Sequence, residues 1–248
     1  MQNIGLISIS SVQHFLVDGL CMCCLFLLTG IYGDSFGAYG DRMSLGAILI
    51  YNLLAFLSQP LTGLLADRLS HRHWLLLWSA LLLTMAVAVA MLPFRTEWAL
   101  ITVALLLGAG NSLFHVWGGK QAVIKTGNDI RALGEFVSTG ALGLAIGFVF
   151  CSWALLYVLL LAFVGLSVLY VRWAGILPSV IVILAGVALC FLFRGNLVWV
   201  LLSGIFLMNC TMPITLYLAN LLLPKREGLA FGLLAAALIP GYLLAVYL

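Results

Sequence analysis

A histidine and an aspartate, His14 and Asp18, lie four residues apart in a stretch of sequence with almost no other charge. Residues at this spacing share one face of an α-helix, so the imidazole and the carboxylate are predicted to be neighbours. Such a pair can hold, pass or release a proton near neutral pH. The alternative is that it lies near a membrane interface or closes a structural hydrogen bond between helices.

A second polar group, Asn111 and His115, has the same spacing and is followed by Gly118, Gly119 and Lys120. Asn111 and His115 are therefore predicted to share a helical face. The paired glycines would allow a neighbouring backbone or a ligand to approach closely. Lys120 either lines the same pathway or extends its ammonium group to the membrane surface.

Two amides, Asn52 and Gln59, complete the polar groups that could line a pathway through the protein. Amides also join helices by hydrogen bonds in lipid, so a structural role is the alternative for both residues.

Gly140, Gly143 and Gly147 repeat at three- and four-residue spacing and predict a face for close helix packing.

Composition places all these residues in a membrane protein. The chain has 248 residues, of which 65% are hydrophobic and 8% charged, and its mean hydropathy is +1.22. That leaves too little polar surface to cover a soluble domain of this length. The basic residues are scattered over short loops, so no continuous patch for nucleic acid is predicted. The lipid bilayer is the expected surrounding.

Breaks at charged, proline and glycine-rich positions predict an all-α bundle of about nine transmembrane helices. About forty residues follow residue 131 without a strong turn, which is twice the thickness of the bilayer core. A bend between Cys151 and Trp153 is therefore required. The predicted spans are 5–32, 44–66, 73–93, 97–119, 132–151, 152–172, 176–193, 197–221 and 228–247.

The distribution of basic residues predicts the orientation, because cytoplasmic loops are enriched in lysine and arginine. With the N-terminus in the cytoplasm, eight basic residues lie on the cytoplasmic side and three on the other. The eight are Arg68, Arg72, Lys120, Lys125, Arg131, Arg172, Lys225 and Arg226, and the three are Arg42, Arg95 and Arg194. The same count places Leu248 on the outer side of the cell membrane.

Four fragments in order resemble one transporter family. They are HFLVDGL (14–20), SQPLTGLLADRLSHRHW (58–74), GAGNSLFHVWGGKQA (108–122) and ITLYLANLLLPKREGLAFGL (214–233). Together they cover about a quarter of the chain. The chain resembles the major facilitator superfamily, and within it the fosmidomycin-resistance type of bacterial exporter.

The resemblance implies a helical bundle that works by alternating access and expels drug-like cargo in exchange for protons. Residues 1–172 would form a six-helix half, and residues 173–248 a partial second half of about three helices. His14, Asp18 and His115 would face the translocation cavity, and Asn52, Gln59, Asn111 and Lys120 are assigned to the same pathway.

The resemblance also implies a cytoplasmic gate. Asp67 would cap or pair with neighbouring helix ends, with Arg68 and Arg72 as its charge partners or as lipid-facing anchors. Arg131 and Glu135, near the start of the fifth predicted span, are assigned to this gate. Glu135 also has a purely structural explanation, because a carboxylate near a helix N-terminus interacts favourably with the helix dipole.

The sequence departs from the family pattern at three positions and in length. Val116 and Trp117 stand where the group has proline and glutamate, and Val17 stands where it has asparagine. A full member has two halves of six helices, whereas three helices of the second half have no counterpart here. An active protein would then complete its pathway by pairing with a second copy of the chain.

Two other functions remain as alternatives. One is a degenerate or accessory membrane protein that keeps the scaffold without transport. The other is an intramembrane metal-dependent enzyme that uses His14, Asp18 and His115 as ligands. The sequence has no nucleophile with a paired base, no phosphate-binding loop and no zinc-ligand pair at helical spacing, so neither an enzyme nor a cofactor is expected.

Overall fold

The chain is helical through nearly all of the described residues. The computed structural model describes residues 2–69, 73–93, 95–173, 212–237 and 239, and contains no β-strand within these ranges. The predicted all-α class is thus confirmed for this part of the chain. In order, the helices are α1 (Gln2–Phe36), α2 (Ala38–Asn52), α3 (Gln59–Arg68), α4 (Trp74–Ala90), α5 (Glu97–Thr126), α6 (Ile130–Val149), α7 (Trp153–Trp173), α8 (Met212–Leu222) and α9 (Glu227–Ala236).

Four helical segments in the described residues are long and apolar enough to cross a membrane, namely Ile9–Phe36, Ala38–Arg68, Glu97–Thr126 and Ile130–Val149. Helices α4, α9 and the first part of α7 are apolar but shorter. Large apolar side chains point outwards, for example Leu61 with 71% of its surface exposed and Leu161 with 72%. This outer surface suits contact with lipid.

The first six predicted spans each coincide with helix, and the required bend falls between Val149 and Trp153 as predicted. The seventh span, 176–193, lies outside the described residues. So do residues 197–211 of the eighth span and residues 238 and 240–247 of the ninth. The total of nine helices therefore stays a prediction.

The second span differs from a regular helix, because a π-helical turn at Leu53–Leu57 joins α2 to α3. Pro60 cannot donate the backbone N–H that a regular helix needs at its position. Side chains take over some of these bonds: Ser58 Oγ donates to the carbonyl of Leu54 (2.5 Å) and Gln59 Nε2 to that of Ala55 (2.6 Å). The turn fixes where the Gln59 amide points.

The connection between α5 and α6 is set by local chemistry. Gly127, with φ of 63°, ends α5 in the left-handed conformation that glycine adopts without strain. The side chain of Asp129 then caps α6 by accepting a hydrogen bond from the Arg131 N–H (2.8 Å). Because α6 begins at Ile130, Glu135 lies in its second turn. The capping residue of α6 is therefore Asp129.

Helix α1 packs most extensively against α6, through the predicted glycine face. A methyl group added at Gly143 would clash with the carbonyl oxygen of Phe15, and one at Gly147 with that of Gly19. The two backbones therefore approach closely only because these side chains are absent. This confirms the close-packing role predicted for the glycines, and it brings one face of α1 against α5 and α6.

Candidate functional site

The His-Asp-His cluster, formed by His14, Asp18 and His115, lies where α1, α5 and α6 meet. His14 Nε2 is 2.7 Å from His115 Nε2. The Asp18 carboxylate bridges the two rings, with Oδ2 3.2 Å from His14 Nε2 and Oδ1 3.0 Å from His115 Nε2. All three residues are buried, with exposed fractions of 5%, 3% and 5%.

The helix spacing brings this cluster together. His14 and Asp18 share a face of α1, and Asn111 and His115 share a face of α5. Asn111 Nδ2 donates to Asp18 Oδ1 at 3.0 Å, so both members of the α5 pair bond to the same carboxylate. Gly140 of α6 provides the space, because a methyl group there would clash with the His14 ring and lie 2.7 Å from Asp18 Oδ2.

Hydrogen bonds outside the cluster fix where the protons sit. His14 Nδ1 lies 2.7 Å from the carbonyl of Phe136, which can only accept, so this nitrogen carries a proton. Gln59 Nε2 donates to the carbonyl of Ala55 and lies 3.1 Å from His115 Nδ1. The amide therefore donates to Nδ1 as well, and the proton of a neutral His115 is on Nε2.

Counting these protons shows that the cluster accommodates one more. His115 Nε2–H can donate to Asp18 or to His14, but His14 Nε2 and Asp18 Oδ2 then face each other as two acceptors. A proton on His14 Nε2 converts that contact into a charge-assisted hydrogen bond, and because both Nε2 atoms are then donors, their 2.7 Å separation must widen. It also cancels the single negative charge of the cluster, which is costly to bury in lipid. The arrangement can therefore take up and release a proton.

The same three residues offer donor atoms that could hold a metal ion, since all lie within 4.8 Å of one another. A metal-binding histidine nitrogen needs a free lone pair, with the proton on the other nitrogen. His14 meets this condition through Phe136, whereas the Gln59 amide places the His115 proton on Nε2. The surrounding hydrogen bonds thus fit a proton better than a metal ion.

The cluster is closed in this structure, and the expectation that it faces a watery translocation cavity stays a prediction. Its polar groups bond to one another and are almost completely buried. Phe231 of α9 lies against it, with ring centroids 6.4 Å from His115 and 6.0 Å from Phe136. Phe231 fits there because Gly119 has no side chain. No sequence pattern indicates this contact, because single phenylalanines are common in apolar helices.

A second polar contact, the Asp67 contact, joins α3, α5 and α9. Asp67 Oδ1 accepts hydrogen bonds from the backbone N–H of Gly228 (3.1 Å) and from Lys120 Nζ (3.0 Å), and Oδ2 accepts from the N–H of Leu229 (3.1 Å). Lys120 also donates to the carbonyl of Ala66. The carboxylate thus caps the N-terminus of α9, where the helix dipole favours negative charge.

Lys120 is the charge partner of Asp67, and the exposed position of Arg68 suits its alternative role as a lipid-facing anchor. Asp67 is paired with Lys120 instead of Arg68, whose side chain is exposed, because adjacent residues on α3 point in directions about 100° apart. Lys120, assigned to the pathway, therefore lies in the Asp67 contact. Arg72 lies outside the described residues.

Three other predicted residues, Asn52, Arg131 and Glu135, lie apart from the His-Asp-His cluster and from the Asp67 contact. Asn52 donates a hydrogen bond to Ile48 within its own helix and lines a separate cavity. Arg131 and Glu135 are exposed on the first two turns of α6. Of the amides assigned to the pathway, Gln59 and Asn111 touch the His-Asp-His cluster and Asn52 does not.

No protein-family model matches the chain, and no match was found among curated proteins or solved structures. The family resemblance of the four fragments therefore stays a prediction.

Proposed function

We propose that the chain is a membrane transporter that couples movement of a small molecule to protons by alternating access, on a scaffold of the major facilitator type. The observation that carries this proposal is the His-Asp-His cluster, a proton-accepting group buried between separate helices. Ionisable groups at such depth are expensive and typically mark proton or substrate pathways.

The Asp67 contact supports the same proposal independently. The resemblance implies that this loop aspartate caps a neighbouring helix end, and Asp67 caps α9 with two backbone hydrogen bonds. In the orientation predicted from the basic residues, this contact lies on the cytoplasmic side of a cell-membrane protein. It would hold that side closed while the other side opens.

The proposed cycle follows from the proton count. In the closed arrangement, one added proton gives the cluster zero net charge and satisfies the contact between His14 and Asp18. Separation of α1 from α5 would let water reach the carboxylate and release that proton. Cargo exchange would occur in the hydrated state, so each conformational cycle would carry one proton.

Purified protein in proteoliposomes with trapped pyranine provides the test. Three probes cover the possible charges: fosmidomycin as an anion, ethidium as a cation and N-phenyl-1-naphthylamine as an uncharged molecule. We expect at least one probe to move across the membrane when a pH difference is imposed. The pyranine signal should show a proton flux coupled to that movement. Asp18→Asn and His115→Ala should abolish this movement, whereas Asp34→Asn, a change at an exposed carboxylate of the same helix, should retain it.

A wild-type protein that moves neither probe nor protons would overturn the proposal. It would favour the alternative, a membrane protein that keeps the scaffold without the transport cycle. Equal flux in Asp18→Asn and wild type would show transport that does not use the cluster.

A further inference from the structure

A cavity of about 460 Å³ lies between α1, α2, the π-helical turn and α6. Its wall includes Leu25 and Phe26 of α1, Ile48 and Asn52 of α2, Phe56 and Leu144. The cavity is separated from the His-Asp-His cluster by Phe56, whose ring centroid is 6.3 Å from that of His115. A volume of this size matches the pockets that hold drug-sized ligands.

The chemistry of the wall is selective. Ten of the residues that the structure describes line the cavity, and none of these ten carries a charge. Asn52 supplies the one amide: its Nδ2 donates to the carbonyl of Ile48 (2.8 Å), while its Oδ1 accepts no hydrogen bond from any described residue. Apart from the Tyr51 hydroxyl, the described wall is otherwise apolar, and Asn52 Oδ1 is its amide acceptor.

We infer that this cavity is the cargo site of the transporter proposed above, and that the cargo is an uncharged, mainly apolar molecule that donates a hydrogen bond to Asn52. An anion would lose its hydration without meeting a basic side chain among the described residues of the wall. A polar, many-hydroxyl solute would leave most of its groups unpaired. An apolar molecule gains from burial against the aliphatic and aromatic wall.

The role of the cavity as a cargo site rests on the proposed transport function, but binding of a molecule to the cavity can be measured without transport. Two dyes form a matched pair. N-phenyl-1-naphthylamine is uncharged and has one N–H donor, and 8-anilinonaphthalene-1-sulfonate adds a sulfonate to the same framework. Fluorescence titrations with the protein in lipid nanodiscs, corrected with empty nanodiscs, compare their dissociation constants.

We expect the uncharged dye to bind at least about tenfold more tightly than the sulfonate. Ile48→Trp fills the cavity and should weaken binding of the uncharged dye by about tenfold or more. Leu161→Trp, the same type of change on the exposed face of α7, should have no effect. Asn52→Leu keeps the volume but removes the acceptor, and should weaken binding by about tenfold, which is the effect of one hydrogen bond.

Equal binding of the two dyes, or unchanged binding in Ile48→Trp, would overturn the inference. So would a lipid that copurifies with the wild type at one per protein and is lost from Ile48→Trp, because a lipid chain would then be the occupant. Selective cavity binding without any flux would refute the transport proposal alone. Flux that persists unchanged in Ile48→Trp would refute the cavity assignment alone.

Discussion

Asp18→Asn separates the proton chemistry of the His-Asp-His cluster from its role in holding α1 against α5. Asparagine has nearly the shape of aspartate. Its carbonyl oxygen can replace Oδ1 and accept the bonds from Asn111 and His115, both at 3.0 Å. Its NH₂ group can replace Oδ2 and donate to His14 Nε2, 3.2 Å away. Every contact is then satisfied without an added proton.

The stability change follows from these contacts. Hydrogen bonds to a charged group contribute about 1.5–3 kcal/mol each and neutral ones about 0.5–1.5 kcal/mol, so three weakened bonds cost a few kcal/mol at most. Removal of a buried charge offsets much of this cost. We expect the free energy of unfolding to change by less than about 2 kcal/mol.

Asp18→Leu provides the contrast, because leucine leaves the Asn111 donor without its carboxylate acceptor and leaves His14 as the remaining partner of His115 Nε2–H. An unsatisfied buried donor costs about 1–3 kcal/mol, and the lost bond from His115 to a charged group costs about 1.5–3 kcal/mol, so this variant should lose roughly 2.5–6 kcal/mol. The two variants are compared by thermal unfolding in detergent, followed by tryptophan fluorescence, and by the proteoliposome assay. Asp18→Asn should melt near the wild-type temperature and show no proton movement.

Two results would refute this reasoning. If Asp18→Asn were as unstable as Asp18→Leu, the assignment of donors and acceptors in the cluster would be wrong. If Asp18→Asn moved cargo with the wild-type dependence on the pH gradient, the cluster would not be the coupling site.

Three further predictions test the packing around the two polar contacts. Gly140→Ala should displace the His14 ring and abolish proton coupling, whereas Gly165→Ala, which meets no atom within 4 Å, should be neutral in the flux assay. Gly63→Ala should separate α3 from α9, because its methyl group clashes with the Gly228 carbonyl, and should lower the melting temperature by several degrees relative to Gly46→Ala. Asp67→Asn keeps only one of the two oxygens that now accept separately from the backbone N–H groups of Gly228 and Leu229, and it loses the negative charge, so hydrogen exchange at the start of α9 should accelerate by at least about tenfold, measured by mass spectrometry.

Periodicity predicted the two halves of the cluster well. Spacing of four residues is enough to place two side chains on one helix face, so the pairs His14 with Asp18 and Asn111 with His115 could be identified without a structure. The same rule cannot tell which faces meet. Whether the two pairs would share one carboxylate depended on how closely α1 could approach α6.

Contacts between distant segments were less predictable. Lys120 was equally compatible with lining a pathway and with reaching the membrane surface, because a long flexible side chain can do either from the same position. Its pairing with Asp67 follows only from the position of α3 against α5. The direction in which the Gln59 amide points likewise depends on the π-helical turn, and hydrophobic periodicity does not reveal that turn.

The two polar contacts are linked through the same pair of helices. Gln59 and Asp67 lie on α3, eight residues or about 12 Å apart, and their partners His115 and Lys120 lie on α5, about 7.5 Å apart. A movement of α3 along or away from α5 would therefore change both contacts. Loss of the Gln59 hydrogen bond would free the proton of His115 to move between its two nitrogens, while loss of the Lys120 bond would weaken the cap on α9. Opening of the gate and a change in the proton position are thus expected to occur together, and this is the coupling that a proton-driven transporter requires.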